Sequence, residues 1–447
     1  MADAPAHPRR TSARWHWLAL IAILLASAWF QFTTVRETRF YNAGGPDAIS
    51  YVSYAYNLRE SGIYSRAQTW NSPGADRPTP DAVSPPGYPL FLAGFLRGGP
   101  DYAFMQRAIT AQAALGVLTT LFAFLLAARI AGPGVACATG LLTAITPHLA
   151  TISTCLLTES LFTCVLLASI LAFVCALQDG RWIRWAIAGL LFGACCLVRP
   201  TLQALPFVAL ALVALLPRAR PWLKPALVAT ACCFLILLPW LAYKQSLPIR
   251  SDQSNLLRAT LYHGSFPGFM YDGDPRTKGF AYRFDPRASE AMSSYGGLGR
   301  VVGDRMAAAP LQYLRWYLFG KPMSFLSWDN RSPGAGGAFI EPVADSPFFH
   351  RASFRLAHAF MSGLHWPLML LGIAGALLAL LRPRLFAATS RLRSLQLVSW
   401  LAIAAIILHV IGAPYPRYGI PFWPLFYVLA ATGLAAMPSM LGARGQS

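Results

Sequence analysis

The sequence is poor in charged side chains. Only 12% of its 447 residues are Asp, Glu, Lys or Arg, whereas 55% are hydrophobic and the mean hydropathy is +0.45. A water-soluble domain carries about 25% charged residues, so this chain has too few of them to cover a surface that faces water. The low charge therefore excludes an ordinary soluble protein.

Lysine is scarce, and cysteine is missing from the long polar segments. The chain has four lysines against 33 arginines, a bias that favours a GC-rich bacterial source. All cysteines lie within or at the ends of apolar segments, at positions 137, 155, 164, 175, 195, 196, 232 and 233. Because no CxxC and no metal-type Cys/His spacing occurs, we expect small buried thiols rather than disulfides or a metal site.

Several catalytic signatures are also missing. The chain has no Walker loop, no GxSxG and no HExxH. The sequence therefore gives no support for cytoplasmic ATP hydrolysis or for the nucleophile elbow of a serine hydrolase. The Asp272-Gly-Asp274 triplet could bind a metal–nucleotide complex only on a βαβ framework, and the sequence has no βαβ pattern. We therefore predict that the triplet is a turn. A divalent metal thus stays possible but unsupported. No internal repeat is visible, which weakens a transporter built from inverted repeats.

Long apolar runs are what the sequence does contain. A bilayer-spanning helix needs about 20 mostly apolar residues. Ten segments qualify once their weakly polar flanks are included, namely 15–32, 104–127, 130–148, 156–177, 183–199, 202–217, 223–243, 358–381, 395–412 and 418–437. We predict an all-α polytopic membrane protein with about ten transmembrane helices (8–12), the first of them a retained signal anchor.

The distribution of arginine predicts the orientation in the membrane. The short loops, such as QDGRWIR and PRARPWLK, are rich in arginine, and the positive-inside rule places them in the cytoplasm with both termini. The basic residues are dispersed, so we expect membrane lipids and no nucleic acid as partners. The predicted units are 1–32 (tail and first helix), 33–103 (first outer loop), 104–243 (helices 2–7), 244–355 (second outer loop) and 356–447 (helices 8–10 and tail).

The first outer loop contains two predicted interfacial helices. Pro46 and Asp47 are typical of a helix start, and Gly62 of a helix end. Between them Asp47, Tyr51, Tyr54 and others fall on one face of a helix. A second apolar piece, residues 85–96, is too short to span the membrane. Both segments suit the membrane surface.

Carboxylates are concentrated outside the membrane. Fifteen of the eighteen lie in the two outer loops, so acid–base chemistry is expected on the outer face. Asp47 is the leading candidate for a catalytic base because a short tether from the first helix holds it at the membrane interface. The alternative is that Asp47 only caps its helix.

Other candidate site residues stand within or at the ends of apolar segments. A charged Glu159 side chain at membrane depth costs free energy, which makes this residue a functional candidate. The alternative is that Glu159 caps its helix through Thr158. Arg199 and Arg417 have the planar guanidinium that binds phosphate, although arginine at such positions can also snorkel to the interface. Three further candidates are less specific, namely Tyr51, Tyr88 and His263.

These motifs, in this order, resemble the GT-C superfamily of polytopic glycosyltransferases, and most closely the branch of protein O-mannosyltransferases and the lipid A aminoarabinose transferase. The resemblance is carried by GGPDAISYVSYAYNL, SPPGYPLFLA, LLTESLF, LVRPT and PRYGIPFWPLFYVLAA. Many mannosyltransferases have paired acids where this chain has Asp47 followed by alanine. The second outer loop matches no recognised motif.

The resemblance implies a function. It implies that Asp47 is the base, that Arg417 and Arg199 bind the donor phosphate, and that a polyprenyl-phosphate-sugar is the donor on the non-cytoplasmic side of a bacterial inner membrane. It names neither the sugar nor the acceptor, which is a glycan, lipid or protein. Two alternatives remain: a lipid or solute transporter of flippase type, and a non-catalytic subunit of an envelope-glycan assembly complex.

Overall fold

The described part of the protein is mostly helical. The computed structural model describes residues 11–41, 45–70, 77–247, 253–330, 337–386 and 389–442. In these residues the α-helices are α1 (Thr11–Glu37), α2 (Pro46–Ser61), α3 (Gly87–Ala93), α4 (Tyr102–Ala131), α5 (Pro133–Ile145), α6 (Pro147–Thr151), α7 (Glu159–Asp179), α8 (Trp182–Val198), α9 (Leu205–Leu215), α10 (Leu223–Ser246), α11 (Gln253–Gly264), α12 (Ala288–Ser293), α13 (Tyr295–Ala308), α14 (Pro310–Arg315), α15 (Lys321–Phe325), α16 (Pro347–His350), α17 (Ala352–Leu381), α18 (Thr389–Ile411), α19 (Pro416–Gly419) and α20 (Trp423–Gly442). The predicted all-α polytopic fold is confirmed.

Short elements connect these helices. A single π-helical turn, Trp316–Gly320, joins α14 to α15. Two short strands, β1 (Arg39–Phe40) and β2 (Val343–Asp345), pair in antiparallel fashion and link the two outer loops. The 3₁₀ turns are Ile152–Thr154, Pro200–Leu202, Pro217–Trp222, Pro267–Phe269, Pro275–Thr277, Ala281–Arg283, Pro383–Leu385 and Ile420–Phe422.

All ten apolar segments are helical, but fewer are long enough to cross a bilayer. Within the described residues seven helices are long and apolar enough, or eight if the pair formed by α5 and the helical stretch after it, bent by 53°, is one span. The bend lies at Pro147, which disfavours helical geometry in the residue before it. With 17 and 11 residues, α8 and α9 fall short of the ~20 that a span needs.

Small residues let the helices of the bundle approach closely. A methyl group added to Gly193 would lie 2.7 Å from the carbonyl oxygen of Cys233, and one on Gly375 would lie 2.5 Å from that of Leu429. Such contacts join α8 to α10 and α17 to α20, as is typical of helix packing in membranes. The eight cysteines are free, and Cys164, Cys195, Cys196 and Cys233 are buried.

The first outer loop packs tightly on the bundle. Its helix α2 begins at Pro46 and ends before Gly62, which has a left-handed φ of 69°, as the sequence predicted. Tyr54 on α2 is fully buried, donates a hydrogen bond to Asp81 and stacks on Tyr64. The loop is thereby held as a folded layer, which fixes the first turn of α2 at the end of the bundle.

Candidate active site

Two carboxylates and two guanidinium groups from four distant segments meet at one end of the bundle. Nη2 of Arg417 donates a hydrogen bond to Oδ2 of Asp47 at 2.5 Å. Nε of Arg417 also lies 3.8 Å from Oε1 of Glu159. The same Glu159 oxygen accepts a hydrogen bond from Nη1 of Arg199 at 3.1 Å. The four side chains form a row in which positive and negative charges alternate.

Asp47 owes its position to the start of α2. The residue before the helix is Gly45, which has no side chain to cap it, and Pro46 occupies the first helical position. Within the described residues, the hydrogen bond that the Asp47 carboxylate accepts comes from Arg417, and the side chain remains 49% exposed. The carboxylate is thus directed at Arg417 and at open space.

Glu159 is the buried member of the row. It lies in the first turn of α7 with 2% of its surface exposed. Its second carboxylate oxygen accepts a hydrogen bond from the Thr158 hydroxyl at 3.4 Å. A buried carboxylate is tolerated only with charged or hydrogen-bonding partners, and here Arg199 and Arg417 supply opposite charge.

Arg417 is carried by a turn that requires a glycine. The turn follows α18 and runs into α19, where Gly419 lies against the carbonyl oxygen of Phe325 so closely that a Cβ would overlap it. The ring of Tyr418 lies 4.5 Å from the guanidinium carbon of Arg199 and 5.3 Å from that of Arg417. Stacking on this ring helps to hold both arginines in place.

Two cavities meet at the Asp47–Arg417 pair. The first cavity, of about 280 Å³, is lined by Phe40, Gly45, Pro46, Asp47, Ala48, Ile49, Val52, Trp70, Pro100, Phe104, Met105, Thr154, Cys155, Leu156, Leu157, Glu341 and Arg417. The second cavity, of about 380 Å³, is lined by Asp47, His263, Phe269, Lys278, Gly279, Phe280, Asn330, Ile340, Tyr415, Pro416, Arg417 and Tyr418. Asp47 and Arg417 line both, so a group in either cavity can reach them.

The two cavities differ in charge. The first cavity is lined by Glu341 in addition to the shared pair. Burial raises the pKa of the Glu341 carboxyl; the nearby Arg417 lowers this pKa, and Asp47 raises it. The second has Lys278, together with Asn330, whose buried side-chain nitrogen has no hydrogen-bond partner in the part of the chain that the structure describes. The first cavity thus carries an excess of carboxylate and the second an excess of hydrogen-bond donors.

The remaining sequence candidates have different surroundings. His263 lines the second cavity and shares a 2.8 Å hydrogen bond between Nδ1 and the Tyr415 hydroxyl, and burial lowers its pKa to about 4. Tyr51 and Tyr88 contact each other edge to face, and the fully buried Tyr88 donates to Gln112. Neither of these two tyrosines lines a cavity described above.

Several residues at the site were not identified from the sequence. Glu341, Lys278 and Asn330 come from the second outer loop, which matches no familiar pattern. The one sequence signal for Lys278 is its rarity, since the chain has only four lysines. Asp272 has a φ of 46° and Asp274 accepts from the backbone of Arg276, so this segment is a turn. Among the described residues, no group of three or more His, Cys, Asp or Glu side chains could hold a metal ion.

Comparison with solved structures identifies the fold. The archaeal oligosaccharyltransferase AglB from Archaeoglobus fulgidus, in complex with an inhibitory peptide and a dolichol-phosphate, aligns with 98% of this chain and 52% of its own (TM-score 0.52, 15% identity). Its apo form gives similar values (TM-score 0.50, 18% identity, 97% and 51% covered). ArnT from Cupriavidus metallidurans bound to undecaprenyl phosphate has a TM-score of 0.40 at 15% identity, with 95% and 77% covered. The chain spans about half the length of the AglB structures it matches.

The fold is that of a polytopic membrane protein similar to AglB, in agreement with the GT-C resemblance of the sequence. Residues 84–243 match the dolichyl-phosphate-mannose-protein mannosyltransferase family. The matched segment includes Glu159 and Arg199, whereas Asp47 and Arg417 lie outside it. No curated protein sequence matches the chain.

Proposed function

We propose that the protein is a membrane glycosyltransferase that moves a sugar from a polyprenyl-phosphate-linked donor to an acceptor hydroxyl. The observation that carries this proposal is the Asp47–Arg417 pair at the junction of two cavities. A transferase of this kind must bring two substrates together at one base. The family match over residues 84–243 supports the reaction class, and the dolichol-phosphate in the AglB complex supports a lipid-linked donor.

The charges of the cavities favour one arrangement of the substrates. A phosphate group is bound by cationic and hydrogen-bond-donating groups, and the second cavity offers these through Arg417, Lys278 and Asn330. We therefore assign the donor phosphate to the second cavity. The acceptor hydroxyl then approaches Asp47 from the first cavity, which Glu341 also lines.

The proposed reaction is an inverting displacement. The acceptor oxygen forms a bond to the anomeric carbon while the bond from that carbon to the phosphate oxygen breaks. The hydroxyl proton passes to the Asp47 carboxylate, and the electron pair stays on the departing polyprenyl phosphate, where Arg417 stabilises the negative charge. Arg199 lines neither cavity described above. Its proposed role is to hold Glu159 and Tyr418, and through them Arg417.

The proposed location is the non-cytoplasmic side of a bacterial inner membrane. The site lies where α7 begins and α8 ends, so the turns with Arg181, Arg218 and Arg384 lie at the opposite end of the bundle. The positive-inside rule places that arginine-rich end in the cytoplasm. A donor anchored in the lipid would then reach Asp47 by diffusion within the membrane.

The test compares wild type with Asp47→Asn. Both proteins are purified, checked for folding by thermal unfolding and for donor binding, and assayed for sugar transfer from polyprenyl-phosphate-sugar with a cell-envelope extract as acceptor. The Asn variant keeps the size and a hydrogen bond but cannot take the proton, so we expect binding without transfer, a loss of at least ~100-fold. Asp304→Asn, an exposed aspartate of the second outer loop, is the matched control.

Two results would argue against the proposal. If Asp47→Asn transfers sugar like wild type, Asp47 is not the base. If wild type binds the donor but transfers nothing to any acceptor fraction, the non-catalytic subunit becomes the better explanation.

A further inference from the structure

One helical stretch of the second outer loop exposes an apolar face. Residues 310–325 are continuously helical, from α14 through the π-helical turn to α15. These 16 residues form a rod about 24 Å long. Five large apolar side chains on it are each more than half exposed, namely Leu311, Leu314, Leu318, Phe319 and Met323. Their spacing places them along one side of a helix. An apolar face of this extent is typical of an interaction or membrane surface.

The opposite face of this rod is buried in the protein. Trp316 donates a hydrogen bond from its indole nitrogen to the carbonyl of Gly264 at 2.9 Å. The fully buried Lys321 donates to the carbonyls of Val410 and Gly412 at 2.7 and 3.0 Å. The rod is therefore rigidly attached, so the exposed face is a fixed feature of the surface.

The depth of the rod is set by a membrane span. Val410 belongs to the last turn of α18, whose apolar span runs to Ile411. Since Lys321 binds that turn, the rod lies at the level where the span reaches the edge of the bilayer. Ile407 and Ile411 of the same span are also more than half exposed, so α18 presents an apolar surface at the end to which the rod is attached.

The charges of the rod fit the same position. The segment 310–325 contains no Asp or Glu, and its two cations are Arg315 and the buried Lys321. Arg315 is exposed beside the apolar face. An exposed arginine beside an apolar face suits the phosphate layer of a bilayer.

We propose that residues 310–325 form a membrane-docking helix, with the apolar face seated in the leaflet at the site-bearing end of the bundle. The partner is the lipid bilayer rather than a second copy of the chain. Because the buried face holds the end of α18, and the turn with Tyr415 and Arg417 follows directly, the docked helix also anchors that turn at the membrane surface. This inference does not depend on the proposed transferase activity.

The test uses a photoreactive benzophenone amino acid at position 314 or, in a separate protein, at position 318. The full chain is placed in nanodiscs that contain one phospholipid of a single mass, irradiated, and measured by intact mass spectrometry. The same amino acid at position 304, which is exposed outside the rod, and at position 313, on the buried face, supplies the matched controls.

We expect the mass of one phospholipid to be added at 314 and 318, at several times the yield at 304 or 313. A cross-linked dimer at 314 and 318 would show that a second copy covers the face, and would overturn the proposal. Equal or no lipid addition at all four positions would overturn it as well. Elution as a single species and an unchanged unfolding temperature verify that each labelled protein is folded. Because positions 314 and 318 are labelled in separate proteins, the test still holds if one of the two proteins fails to fold.

Discussion

Arg417 donates a hydrogen bond to Asp47 across 370 residues of sequence, and so joins the turn before the last helix to the first helix of the outer loop. On its other side the same guanidinium group approaches Glu159. The Asp47 carboxylate is thereby oriented but not enclosed, since about half of the side chain remains exposed. The proposed proton acceptor and the proposed cation for the leaving group are thus in direct contact.

Replacement of Arg417 should impair catalysis more than donor binding. Arg417→Gln removes the cation that we propose faces the departing phosphate, and losing one such group typically lowers kcat by about 100- to 1,000-fold. Arg417→Lys keeps the charge but loses the planar fork, so an intermediate rate is expected. Initial rates at saturating donor measure the effect, with the exposed Arg300→Gln as control. A wild-type rate in Arg417→Gln would exclude this role.

Loss of Lys278 should weaken donor binding. A hydrogen bond to a charged group is worth about 1.5–3 kcal/mol, so Lys278→Ala should raise the KM for the lipid-linked donor by about 10- to 100-fold. The KM for the acceptor should change little, because Lys278 lines the second cavity and not the first. Lys224→Ala, at the arginine-rich end of the bundle, provides the comparison. A selective rise in the acceptor KM would reverse the assignment of the cavities.

Glu159 and Arg199 should be coupled in stability. Breaking a buried ion pair by removing one partner costs about 3–5 kcal/mol, whereas removing both costs less than the sum. Glu159→Gln and Arg199→Gln should therefore each lower the unfolding temperature, and the double variant should be less destabilised than additivity predicts. Strictly additive losses would show that the 3.1 Å contact contributes no coupling energy.

His263 should make the protein sensitive to acid. Burial lowers its pKa from 6.5 to about 4, so between these pH values the unfolded chain binds a proton that the folded chain does not. The stability that the neutral side chain contributes is complete above pH 6.5 and is lost as the pH falls towards 4. Unfolding temperatures of wild type and His263→Gln should therefore converge or cross on going from about pH 7.5 to 5. Parallel curves would contradict the burial argument.

Gly87 should not tolerate a side chain. A Cβ at this position would lie 2.7 Å from the carbonyl carbon and oxygen of Leu197, at the end of α8. Gly87→Ala must push α3 away from α8, which should lower the free energy of unfolding by about 1–3 kcal/mol. Gly99→Ala, where nothing lies within 4 Å, should leave the unfolding temperature unchanged. Equal stability of the two variants would show that the contact relaxes freely.

The ends of a helix could be predicted from the sequence where a residue at that end determines them. The start of α2 at Pro46 and its end at Gly62 follow from the ring of proline and the left-handed φ of glycine. The predicted number of about ten spans exceeds the seven or eight described, because α8 and α9 are apolar but shorter than the bilayer is thick. Length, rather than composition, separates them from the seven longer spans.

The sequence by itself determined that the chain is a helical membrane protein and which few polar side chains stand at the ends of its apolar segments. Burying a run of apolar side chains in lipid is a property of each segment alone. Only the tertiary structure decided that Asp47, Glu159, Arg199 and Arg417 form one row, and that Glu341 and Lys278 face them from opposite cavities. Those contacts depend on how helices far apart in sequence pack together, and no spacing along the chain encodes that arrangement.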